Sequence, residues 1–293
     1  MSPAILGFSV FFVYPLIATV YYSFQSYDLL SPPRFIGWAN YDYFLHDDPK
    51  VWQAIRNTLW LVVFMVPAKI LFALLVSQVL LVVRRGGSWF RAIFYLPALA
   101  PPVAATLMFV FLLNPSTGPV NETLRFFGIP GPLWFNDPDW SKPALVFLAI
   151  WGVGDVMIIL LAALLNVPKE QYEAATLDGA GPLARWWYIT LPTIAPVVMF
   201  AAITGVIATL QYFTQPAVAA QAASGQATVG GGVGGLLGYP LGSTLTFPQW
   251  LYQQGFTQYY LGYASVLALV LFGVALLFVL VLLRQFRDTI RTR

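Results

Sequence analysis

The chain contains no cysteine and a single histidine, His46, among its 293 residues. Disulfide bonds and thiolate metal sites are thereby excluded, and no histidine cluster can form. Charge is scarce as well: only 9% of residues are Asp, Glu, Lys or Arg, against 59% hydrophobic. A soluble domain carries about 25% charged residues, so this composition describes a polytopic membrane protein. The net charge of +3 is not gathered into a basic stripe, which argues against a nucleic-acid partner and leaves the positive residues as reporters of topology. No Gly-x-x-x-x-Gly-Lys-Ser/Thr phosphate loop is present, and the Gly230–Gly238 run has no lysine beside it. That run reads as flexible linker rather than nucleotide site. With no catalytic constellation and no metal-ligand spacing, the chain is read as a non-enzyme.

Long apolar runs are what the sequence has in abundance. Six of them, at about 4–25, 57–83, 93–113, 144–165, 193–214 and 262–283, approach or exceed the ~20 residues that cross a bilayer. Backbone groups in lipid must be satisfied within the segment, so all six are predicted to be helices and the fold class is all-α, one transmembrane domain over 1–293. Pro15, Pro67, Pro97, Pro101, Pro102 and Pro196 predict kinks in them. The first run is too long for a signal-peptide core and has no small-residue cleavage site, so it is read as a span, with a basic N-terminal extension expected ahead of it.

Nine basic residues (Arg84, Arg85, Arg91, Lys169, Arg185, Arg284, Arg287, Arg291 and Arg293) fall on one side of these spans and five (Arg34, Lys50, Arg56, Arg125 and Lys142) on the other. The positive-inside rule then makes both termini and the loop 168–191 cytoplasmic. No charge lies between Arg185 and Arg284 to oppose export of the connection 215–261, which is read as external. That connection is rich in glycine: Gly225, Gly230, Gly231, Gly232, Gly234, Gly235, Gly238 and Gly242.

The fifteenth basic residue, Lys69, and Asp155 fall near the middle of the second and fourth runs, where a lone charge costs roughly 2.5–3.5 kcal/mol. Both are expected to face protein. An ion pair with each other, lining of an aqueous route and proton coupling all remain open. The fifth run carries Thr204, Gly205, Thr209, Gln211, Tyr212, Thr214 and Gln215, more polar groups than a lipid-facing helix needs. Hydroxyls, amides and an aromatic face suit a sugar, and they equally suit packing between helices. Trp151, Asn114 and Tyr260 are further candidates for the same route.

Between the fourth and fifth runs lies a polar island, Glu173-Ala174-Ala175-Thr176-Leu177-Asp178-Gly179-Ala180-Gly181-Pro182, running on to Ile189-Thr190-Leu191-Pro192. Pro168 suits a first helical position, Gly179 a position just past a helix end, and Pro182 the start of a second helix that must stop before Pro192. An amphipathic loop lying on headgroups is one reading of it. Ala174 and Ala175 are too small to anchor in lipid, and a close-packed protein contact suits them better.

The spacing of Glu173-Ala174-Ala175, Asp178-Gly179-Ala180, Ile189 and Leu191-Pro192 resembles the cytoplasmic coupling loop of permease subunits in binding-protein-dependent ABC importers. Arg91, Leu96-Pro97, Asn114, Gly118, Asn121 and Val167-Pro168 are similar to the same family in position, and the likeness extends over nearly the whole chain, toward the carbohydrate branch that includes maltose and glycerol-phosphate permeases. The resemblance implies a type I ABC importer permease fold in the bacterial cell membrane, surrounded by lipid. It implies a second permease subunit, an ABC ATPase dimer that binds ATP and Mg in place of any cofactor in this chain, and an external binding protein that delivers a carbohydrate or polyol. ATPase coupling is assigned by it to Glu173, Ala174, Ala175, Asp178, Gly179, Ala180, Ile189, Leu191 and Pro192. Glu173 is either a local helix-stabilising charge or an ionic anchor to the ATPase. The long glycine-rich external connection departs from the family pattern. The rival reading is a proton-coupled secondary transporter working through Lys69 and Asp155, for which the sequence shows neither inverted repeats nor broken helices.

Overall fold

A helix that is apolar on every side has no face for water, and most of this chain is made of such helices. The structure is a computed structural model that describes residues 2–83, 86–225 and 237–291. In chain order its main helices are α1 (Pro3–Ser23), α2 (Val51–Val82), α3 (Gly87–Leu99), α4 (Pro102–Leu112), α5 (Pro119–Phe126), α6 (Pro138–Trp151), α7 (Gly154–Leu165), α8 (Lys169–Leu177), α9 (Pro182–Leu210), α10 (Thr214–Ala223), α11 (Phe247–Tyr252) and α12 (Leu261–Arg291). Helices α1, α2, α9 and α12 are each long and apolar enough to cross a membrane. Counting the bent pairs α3–α4 and α6–α7 as one span each gives six among the described residues.

The third and fourth spans are broken rather than kinked. Helices α3 and α4 meet at 99°, and the cause is the Ala100-Pro101-Pro102 sequence. A residue before proline is driven out of the helical region, so Ala100 (ψ 134°) and Pro101 (ψ 132°) are both extended, and Pro102 then starts a new helix. Helices α6 and α7 meet at 50° across Gly152 and Val153. Gly154 begins α7 where a Cβ would stand 2.6 Å from the Phe94 carbonyl oxygen and 2.7 Å from the Tyr95 Cα, so only glycine lets α7 lie this close to α3.

Two spans start earlier than the apolar runs imply, because side chains cap them. Asp48 Oδ1 accepts from the Lys50 and Val51 N–H groups and starts α2 six residues ahead of Asn57. Asp137 accepts from the Asp139 N–H at 2.8 Å, and Pro138 occupies the first helical position of α6. The second helix of the polar island, expected to stop before Pro192, instead continues through it to Leu210. A π-turn over Trp186–Thr190 closes with the Leu191 N–H bonded to the Trp186 carbonyl, so the wider turn absorbs the proline without ending the helix.

Helix α2 is the hub. Val66, Ile70, Ala73 and Leu80 join α7 and α9 in one apolar core; Val51 and Ala54 join α11 and α12 in a second; Leu61 and Met65 join α6 and the Trp134–Phe135 turn in a third. Helix α1 lies against α12 with most of its surface open, as a lipid-facing helix does.

The stretch 215–261, read from sequence as one long connection, is largely built in. Helix α10 packs on α4, and 237–257 is fastened to the N-terminal ends of α2 and α6. Asn57 Nδ2 donates to the Gly242 and Leu245 carbonyls, Thr58 Oγ1 accepts from the Phe247 N–H, and the Ser141 and Ser243 hydroxyls lie 2.8 Å apart. Asp48, buried, also accepts from Trp250 Nε1 (2.7 Å) and from the Tyr263 hydroxyl. The linker expectation for Gly230, Gly231, Gly232, Gly234 and Gly235 falls outside the described residues.

Candidate functional site

Helix breaks free backbone groups that lipid cannot satisfy, so broken spans belong where they border protein or water. Here both breaks border one cavity of about 530 Å³, walled by α2, α9 and the ends of α3, α4, α6 and α7. Pro97, Ala98, Ala100 and Gly152 line it at the breaks. Sequence reading named Pro97 only as a kink and a family position and passed over Ala98, Ala100 and Gly152; the Pro101-Pro102 doublet and the Gly152-Val153-Gly154 triplet are the signals that mark them.

Lys69 and Asp155 meet on this wall. Lys69 Nζ stands 3.1 Å from Asp155 Oδ1 and 3.3 Å from Oδ2, so the two mid-span charges solvate each other. Asp155 lies in the first turn of α7, where the unpaired N–H groups of the helix end also favour a negative charge. Trp151, Thr209, Gln211, Tyr212, Thr214 and Gln215 line the same cavity. Among the described residues the side chains of Thr209, Gln211 and Gln215 and the Trp151 indole N–H form no hydrogen bond with protein, so they stand ready for a solute or water. Thr204 borders the cavity too, but its hydroxyl turns back to the Phe200 carbonyl at 2.8 Å. Gly205 is a packing residue: a Cβ there would approach Val66 Cγ1 to 3.1 Å, at the α2–α9 crossing.

Asn114 does not reach the cavity. Its Oδ1 accepts from the N–H groups and hydroxyls of Ser116 and Thr117, tying the turn that follows α4. Gly118 completes the turn, since a Cβ would meet the Asn114 carbonyl oxygen at 2.5 Å. Asn121 bonds the Pro115 and Pro132 carbonyls and receives Trp134 Nε1 at 2.7 Å, so the three residues form a structural knot. Tyr260 also lies off the cavity wall, on an exposed turn ahead of α12.

The polar island forms a second feature. Helix α8 ends in a Schellman turn: the Ala180 N–H reaches the Ala175 carbonyl at 2.8 Å and the Gly179 N–H the Thr176 carbonyl at 3.1 Å, with Gly179 at φ +80°. Arg185 Nη1 donates to Thr176 Oγ1 (2.9 Å), and the Tyr172 and Thr190 hydroxyls lie 2.7 Å apart, so α8 is bound to the start of α9 at two levels. Tyr172 and Ile189 pack on the α2–α7–α9 core. Leu191 and Pro192 are half-buried in α9, whereas Glu173, Ala174, Asp178 and Gly179 are exposed and Ala175 and Ala180 partly so. Leu177 and Leu183 flank the turn at 89% and 79% exposure, an apolar pair that sequence reading did not single out.

Residues 65–289 match the family model described as binding-protein-dependent transport system inner membrane component. The chain is 34% identical over 291 residues to the sulfoquinovosyl glycerol transport system permease protein SmoG of Agrobacterium fabrum, spanning 98% of this chain and 89% of that one. It is 33% identical over 286 residues to the probable ABC transporter permease protein YesP of Bacillus subtilis, spanning 97% and 88%. Among solved structures, a chain of a bacterial alginate ABC transporter in complex with alginate pentasaccharide-bound periplasmic protein superposes with a TM-score of 0.78 at 25% identity, over 98% of this chain and 92% of that one. Broken helices, expected of a secondary transporter and not evident from the sequence, are present here, so they do not separate the two readings; kinship does. The chain belongs to the inner membrane components of binding-protein-dependent transport systems and has the fold of a type I ABC importer permease.

Proposed function

We propose that this chain is one permease subunit of an ATP-driven importer for a carbohydrate or polyol, forming half of the translocation path. The observation that carries the reading is the cavity at the two helix breaks, with unengaged hydroxyl and amide groups beside Trp151 and Tyr212. A sugar needs such directional partners and flat apolar faces. SmoG is named for a sulfoquinovosyl glycerol system and the solved neighbour for alginate, both sugars that carry acid groups; they support the carbohydrate class and leave the charge of this chain's solute to its own cavity.

ATP and Mg would be held by a separate ATPase dimer, docked on the cytoplasmic side against Glu173, Ala174, Asp178 and Gly179. Helix α9 gives that contact a mechanical route. Its 29 residues extend about 43 Å at 1.5 Å per residue, from the Pro182 end beside the turn to Leu210, next to Thr209 on the cavity wall. Movement of the turn is thereby movement of the wall, with the π-turn at Trp186–Thr190 and Pro196 as the places where the helix gives. ATP drives the switch to the extent that it binds one conformation better than the other. A second permease would close the cavity, and an external binding protein would load it, as the alginate system's periplasmic protein is solved with its transporter.

Affinity purification of the tagged chain from its native membrane tests this. An ATPase and a second permease are expected to co-purify, and uptake is expected to survive collapse of the proton gradient while ATP is maintained. A chain that purifies alone and stops transporting when the gradient is removed would overturn the proposal.

A further inference from the structure

Among the described residues, the cavity wall holds two ionised side chains, Lys69 and Asp155, and each neutralises the other at 3.1 Å. We propose that this pair is a charge filter that sets the cavity's preference for an uncharged polyhydroxyl solute over an anionic one of the same size. The inference rests on the transport function proposed above and names the substrate class more narrowly.

A solute anion entering a low-dielectric cavity gives up hydration and must find a counter-charge there. Among the described residues Lys69 is the one cation on this wall, and the Asp155 carboxylate already engages it through both oxygens. The ammonium is also the more enclosed partner, with 27% of its side chain exposed against 58% for Asp155. An arriving anion therefore meets the carboxylate first and is repelled. Capturing Lys69 would mean opening the pair and stranding the carboxylate. A neutral carbohydrate needs no counter-charge and can use Thr209, Gln211 and Gln215 while the pair stays closed. The first turn of α7 holds the carboxylate in place, because its free N–H groups favour negative charge.

The absence of cysteine makes the filter measurable. Ala208, exposed on the cavity wall, is changed to cysteine in the full transporter in membrane vesicles. Modification of that thiol by anionic sulfonatoethyl and neutral hydroxyethyl methanethiosulfonates is then timed from the mass of this chain. Adding Asp155→Asn frees Lys69 and is expected to raise the anionic-to-neutral rate ratio roughly tenfold, and adding Lys69→Met is expected to lower it by a similar factor. The exchanged pair Lys69→Asp with Asp155→Lys should bring the ratio back to within about threefold of Ala208→Cys alone, which separates charge from damage to the fold. A ratio that moves with neither single substitution, or that the exchange fails to restore, overturns the filter. Uptake of a neutral carbohydrate by the unsubstituted transporter reports separately on the transport function. Uptake with an unmoved ratio sinks the filter alone, and a moving ratio without any carbohydrate uptake sinks the substrate class and the transport reading together.

Discussion

Removing both mid-span charges should harm the protein less than removing one. Two unit charges 3.1 Å apart attract by about 5 kcal/mol at an effective dielectric of ~20, an upper figure, since the Asp155 side chain is 58% exposed. Fully exposed pairs contribute about 0.2–1 kcal/mol, and breaking fully buried ones costs about 3–5 kcal/mol. This pair lies between, so each single substitution is expected to cost about 1–3 kcal/mol. Asp155→Leu should be the more damaging, because it strands an ammonium whose side chain is only 27% exposed, whereas Lys69→Met leaves a carboxylate with both water and the α7 N-terminus to solvate it. The double variant should be more stable than either, with a coupling free energy of about 1–2 kcal/mol. Thermal and denaturant unfolding of the four proteins in one detergent, followed by tryptophan fluorescence, measures the cycle. A double variant no more stable than Lys69→Met alone would refute the pairing energetics.

Gly179→Ala meets no atom within 4 Å but must hold φ at +80°, so it should cost only about 1 kcal/mol while tilting the Schellman turn. Together with Glu173→Ala it should leave expression and folding intact and lower transport; full transport by both variants would remove the coupling role. Gly154→Ala drives a Cβ into the Phe94–Tyr95 backbone and should cost about 1–3 kcal/mol, whereas Gly152→Ala, with its nearest neighbour at 3.9 Å, should cost much less. Equal melting temperatures for the two would disprove the close approach of α3 and α7. Asp48→Ala leaves Trp250 Nε1, the Tyr263 hydroxyl and two backbone N–H groups without their acceptor, and should destabilise by roughly 3 kcal/mol. Faster protease cleavage within 237–257 would report the loosened segment, and an unchanged cleavage rate would contradict that role for Asp48.

How far each feature could be read in advance depended on whether its cause was local. Gly179 is legible because a helix end needs a left-handed residue within one turn, and glycine supplies it. The polar island is legible because charge and small side chains interrupt a long apolar text. Asn114 misled because an amide in a membrane chain signals hydrogen bonding without saying to what, and here it bonds its own turn. The continuation of α9 through Pro192 was hidden because proline ordinarily ends a helix, and whether a π-turn accommodates it is settled by what the helix packs against.

Sequence by itself determined the six apolar segments and the helical state of each, since backbone polar groups in lipid admit little else. It also determined the punctuation between them, which rests on glycine, proline and charge within a few residues of each other. Tertiary structure alone decided that both breaks face one cavity, and that Lys69 and Asp155, 86 positions apart, lie within hydrogen-bonding distance. Those are properties of helices packed against one another, and no local pattern encodes which face of one helix meets which face of the next.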